Sequence, residues 1–129
     1  MVSDLLIANQ LRLATGNLDD ARRLAAASSR NAIYVCEQAA EQVILAVLTS
    51  ESKHGGVRHQ LQQMVDMVPD ENPLKPLLRA IEDLGVYATS YRYASAEGRI
   101  KPAPSSTQFD QFAADVEKAL LAAVQAFGV

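Results

Sequence analysis

This 129-residue chain has no tryptophan, one cysteine and only 5% aromatic residues. A lone thiol, Cys36, excludes an internal disulfide and fits a reducing cytoplasm. With aromatics so scarce, the core has to be built from Leu, Ile, Val and Ala, a composition suited to close-packed helices. The net charge of −3 lacks the basic footprint of a general nucleic-acid binder. The first residues, MVSDLLIANQLRLATG, carry Asp4 early, and Asn9, Gln10 and Arg12 interrupt the apolar positions, unlike a signal peptide. No apolar run approaches the ~20 residues that span a bilayer. The expectation is a cytoplasmic protein with no membrane segment. There is no Gly-rich phosphate loop, Cys-x-x-Cys pair, nucleophile elbow or His-Glu-x-x-His, so nothing points to a cofactor.

What is present is helical periodicity. Ile7, Leu11, Ala14, Leu18, Ala21 and Ala25 step by four and three, and the phase survives Gly16-Asn17, which predicts one long helix. Ser28-Ser29 supplies a break and a cap. Ile33, Cys36, Ala40, Val43 and Val47 predict a second helix ending before Gly55-Gly56. Val57, Leu61, Met64 and Val68 predict a short third. Asn72 as cap and Pro73 in the first turn open a fourth, with Leu77, Ile81, Leu84, Ala88 and Tyr91 inward. After a polar loop at Gly98 and Pro102–Pro104, Thr107 and Asp110 resemble a capping box ahead of a last helix. Phe109, Ala113, Val116, Leu120 and Phe127 mark its buried side. The prediction is one domain over residues 1–129, an all-α up-and-down bundle of four main helices plus a short one.

Three clusters of side chains carry chemistry. Residues 87–93, YATSYRY, hold three of the four tyrosines and Arg92. Tyr and Arg favour interfaces, and Arg92 suits a phosphate or carboxylate held by two bonds; rim packing of amphipathic tyrosines explains the cluster equally well. Glu37 and Glu41 sit one turn apart on the second helix and call for basic partners or a metal. Cys36 shares the apolar phase and reads as an inert buried thiol. Glu51-x-x-His54 has the spacing of half a carboxylate-bridged metal site, but only one such pair occurs, which argues against a metal. His59 follows Arg58 in the most basic stretch of the chain, which also includes Lys53 and His54, and reads first as a structural histidine.

Together these stretches resemble the HEPN family of helical "higher eukaryotes and prokaryotes nucleotide-binding" domains. CEQAAEQVILAVL is similar to the family's Gln-Ala-Ala-Glu-Lys helix, RHQLQQMVDMVP to its His-x-Leu segment, and LGVYATSYRYAS to its Leu-x-x-Tyr and Arg-Tyr-Pro. Gln38, Glu41, His59, Leu61, Tyr87, Arg92 and Tyr93 match its characteristic positions. The chain departs at Gln42 and Leu45, where lysines are usual, and at Ala94, where proline is. HEPN ribonucleases carry Arg-x4–6-His. Here Arg30-Asn31 resembles the start of that motif, but Tyr34, Val35, Cys36 and Glu37 follow, with no histidine in register. The resemblance therefore implies a non-catalytic binding module, homodimeric and nucleotide-related. It would partner a small nucleotidyltransferase in a toxin–antitoxin or stress module, with Glu41, His59, Tyr87, Arg92 and Tyr93 as the ligand site. The competing readings are an RNA-cleaving enzyme that uses Arg92, His59 or His54 in a non-standard site, and a purely structural assembly domain.

Overall fold

A computed structural model describes residues 2–54, 60–88 and 93–129. The chain is an all-α bundle. Helix α1 (Val2–Ala26) and helix α2 (Ala32–Ser50) form a hairpin, and α5 (Ser106–Phe127) packs on both. Between α2 and α5 the chain returns through short pieces: α3 (Leu61–Asp66), α4 (Lys75–Arg79) and a 3₁₀ helix (Glu82–Ala88). The Arg22–Glu117 ion pair joins the second half of α1 to the middle of α5, and Val124 and Val129 lie beside Ala8 and Leu11. Helix α5 is thus antiparallel to α1 and parallel to α2.

Helix α1 runs unbroken through Gly16, as its periodicity predicts, and buries Ile7, Leu11, Ala14, Leu18 and Ala21. Helix α2 goes beyond its prediction. The spacing marks one face, yet 13 of its 19 residues are buried, among them Ala39, Ile44, Leu45, Ala46 and Leu48. Its alanines let α1 and α5 approach closely, and a helix apolar on nearly all sides belongs in the middle. At 19 residues and a mean hydropathy of 1.3, α2 is long and apolar enough to cross a membrane, yet it lies 72% buried inside the bundle.

The predicted fourth helix is instead a five-residue α-helix followed by 3₁₀ structure. Leu78, Ile81 and Leu84 are buried at every third position, and Ile81 and Leu84 donate N–H bonds three residues back, to Leu78 and Ile81. A period of three is the 3₁₀ repeat, in which such residues eclipse one another. The start also moves: Asn72 Oδ1 accepts from Leu74 N–H (2.9 Å) as a local turn, and Pro76 rather than Pro73 sits in the first helical turn. Likewise the capping box of α5 is Ser105 with Gln108, not Thr107 with Asp110. Pro104 precedes Ser105, and Ser105 is extended as a cap must be, so the helix starts as soon as the proline is passed.

The ends of α1 and α2 share a device. Ser29 N–H bonds Leu24 O and Ser28 N–H bonds Ala25 O, while Lys53 N–H bonds Leu48 O and Ser52 N–H bonds Thr49 O. Both are Schellman terminations with serine in the left-handed position, at φ 58° and 57°. Helix α2 therefore stops at Ser50, short of the glycine pair Gly55-Gly56, which lies outside the described residues. Gly16, in contrast, stands where the backbone does not need a glycine, mid-helix and exposed, with nothing within 4 Å of an added Cβ. We expect Gly16→Ala and Ser28→Gly each to raise unfolding stability by about 0.5–1 kcal/mol, measured by denaturant titration. Destabilisation by Ser28→Gly would mean that its hydroxyl outweighs the backbone gain.

Candidate functional site

Of the five residues predicted to form the site, Glu41, Tyr87 and Tyr93 are described; His59 and Arg92, with Tyr91 and Arg58, lie outside the described residues. Glu41 is 6% exposed and Glu37, one turn earlier, is completely buried. Both take part in polar or electrostatic interactions. Carboxylates are almost never buried without compensation, so this stretch of α2 is the polar centre of an otherwise apolar helix. Cys36 lies beside them at 0% exposure, and burial pushes its thiol up to about 12. The nearby Arg22 acts in the opposite direction and Glu37 reinforces the rise. At neutral pH Cys36 is thus an un-ionised, enclosed thiol and not a nucleophile.

Tyr87 sits near the end of the 3₁₀ helix, which packs against α2 and α3. It is half-buried, and its ring meets Phe112 of α5 edge-on, with centroids 6.2 Å apart and planes at 73°. Glu41 and Tyr87 therefore stand on neighbouring elements. Tyr93 is different, since 67% of it faces solvent at the start of the exposed loop 93–103. Glu51 and His54 do not share a helix face, because Glu51 caps α2 and the left-handed Ser52 turns the chain away.

Residues not singled out by the sequence also gather. Arg30 spans from the α1–α2 turn to the loop before α5, its Nε and Nη2 both donating to Lys101 O (3.1 and 2.9 Å). Arg22 Nη1 holds Glu117 Oε1 at 2.9 Å, and both side chains are partly exposed. Both arginines line a cleft of about 520 Å³, whose walls also include Ala25, Ile33, Pro104 and Phe109. Arg30 is visible in the sequence only as a fragment of a nuclease motif, and Arg22 as one charge on the polar side of α1. Neither position reveals that distant segments converge there.

No family model matches the chain, and neither a curated protein nor a solved structure matches it.

Proposed function

We propose that this chain is a HEPN-like, non-catalytic binding module that acts as a homodimer, has a nucleotide-related role and associates with a small nucleotidyltransferase in a toxin–antitoxin or stress module. The observation that carries this reading is the adjacency of two of the family-like stretches. CEQAAEQVILAVL forms the buried centre of α2, and LGVYATSYRYAS places Tyr87 on the 3₁₀ helix packed against α2. These stretches lie far apart in the chain, yet their elements meet. The candidate ligand site is Glu41, His59, Tyr87, Arg92 and Tyr93, with a ring stacked on tyrosine and an anion held by Arg92. Tyr93, largely in solvent, is the member best placed to meet a partner.

Association is supported by α1. Leu5, Leu6 and Leu13 are 66%, 47% and 57% exposed, and Leu6 and Leu13, two turns apart, share a face. Exposed leucines that share a helix face fit a surface that another chain covers. The test combines solution mass with RNA incubation in the presence of a chelator. The expected result is a particle of twice 13.9 kDa that leaves RNA intact. A monomer that cleaves RNA, with cleavage lost in His59→Ala, would establish the enzymatic reading instead. Copurification from the native cell then reads out the nucleotidyltransferase directly.

A further inference from the structure

We propose that the cleft between the α1–α2 turn and the start of α5 is a binding site for a small organic anion: a phosphate or carboxylate attached to a flat apolar group. This site is separate from the one built around Glu41 and Tyr87, and it stands or falls independently of the HEPN-like reading. At about 520 Å³ the cleft is of a size that encloses a small molecule.

Two kinds of residue line its walls. One is apolar, with Ala25 from the last turns of α1, Ile33 from the first turn of α2, and Pro104 and Phe109 from the entry to α5. Ile33 and Phe109 are core residues, 1% and 5% exposed, so this wall is held from behind by the bundle. The other is cationic, supplied by Arg22 and Arg30. Guanidinium groups stay charged at any working pH and present donors in a plane that matches a carboxylate or phosphate. A cleft lined by an aromatic residue, a proline and two arginines suits a flat group bearing a negative charge.

The arginines divide the work. Arg30 straps the loop to the α1–α2 turn through its two bonds to Lys101 O and adds positive field to the cleft it lines. Arg22 is the anchor. Its present partner, Glu117, is an intramolecular carboxylate on the next helix that occupies the Nη1 edge, and solvent reaches both side chains. An exposed pair of this kind is weak and exchangeable. Glu117 thus stands in for the ligand's own anionic group and competes with it. Asp110, in the second turn of α5, is the acidic residue lining the cleft, and it disfavours ligands with several charges spread over their length.

The competition gives a test whose two variants move in opposite directions. Phenyl phosphate is titrated into ¹⁵N-labelled full chain, with inorganic phosphate and phenol as the two half-ligands. Saturable amide shifts are expected within residues 22–33 and 103–110, with each half-ligand binding about tenfold more weakly or worse. Arg22→Gln is expected to weaken phenyl phosphate about tenfold, and Glu117→Gln to strengthen it about threefold. A merely structural ion pair would affect both variants alike, since each breaks the same bridge. Ala26→Trp, placed at an exposed cleft position where bulk does not disturb the core, is expected to abolish the shifts. The proposal is overturned if phenyl phosphate at about 10 mM leaves these amides unmoved, if the two charge variants shift affinity in the same direction, or if Ala26→Trp binds as the parent does.

Discussion

Ile44→Ala is expected to cost about 3–4 kcal/mol and to lower the melting temperature by about 10–15 °C in a calorimetric scan. Ile44 is completely buried in the middle of α2. That helix packs against α1, α3, α5 and the 3₁₀ helix, so little around the site is free to relax into the space left by three lost carbons. Domains of this size unfold with a total of ~5–15 kcal/mol, so one such truncation removes a large share. Leu13→Ala is the matched control. It deletes an aliphatic side chain of the same size from α1, but one that is 57% exposed in the single chain, and at dilutions where the chain is monomeric its effect on stability should stay within about 0.5 kcal/mol. A further loss that grows with protein concentration is expected if a second copy of the chain covers Leu13, as the proposed association requires. The pair of measurements therefore separates the core from the surface proposed for association.

The contrast between these two leucine-sized positions also shows what the sequence makes legible. Helices α1 and α5 could be read residue by residue because each has one wet side: Ile7 to Ala21 and Phe109 to Leu120 are buried as their spacing predicts. Helix α2 could be located but not oriented. Glu37, Gln38, Glu41 and Gln42 look like a solvent face, so the burial of Glu37 and Glu41 runs against the pattern that amphipathic periodicity detects. The return from α2 to α5 was harder still. Residues three apart satisfy both α and 3₁₀ repeats, and only the observed i→i+3 bonds at Ile81 and Leu84 choose between them. Helix boundaries drifted by two or three residues where capping residues crowd together, as in PAPSSTQFD, because Ser105 and Thr107 both qualify and only the backbone decides. Of the candidate site, the pairing of Tyr87 with Phe112 and the cleft lined by Arg22 and Arg30 were invisible, since both depend on contacts between segments far apart in the chain.

Lys75 leads to the second large effect. It is 9% exposed, a rare state for a lysine, and its ammonium donates to Val68 O at 2.5 Å and to Asp70 Oδ1 at 2.8 Å. The aliphatic stem is buried at the start of α4 while the charged head reaches back to the linker after α3, so a single side chain holds the turn between the two short helices. Lys75→Met keeps the stem and removes the donors. It should cost about 1–3 kcal/mol, because the Val68 carbonyl loses its charged donor without gaining water. Lys75→Ala also removes packed methylenes and should cost about 2–4 kcal/mol. Asp70 separates the two contacts by pH. Its hydrogen bond from Lys75, and then the lysine's charge, hold its carboxyl below the usual range, although the carboxyl itself is exposed to solvent. A carboxyl whose folded value is lowered adds stability above the ordinary carboxylate range and loses it as pH falls through the folded value. Asp70→Asn should therefore have a small effect at neutral pH that vanishes in acid. The Val68 carbonyl does not titrate, so the cost of Lys75→Met should persist in denaturant titrations at both pH values. If that cost disappeared in acid together with the Asp70→Asn effect, the surface ion pair, and not the buried carbonyl, would be what fixes the turn.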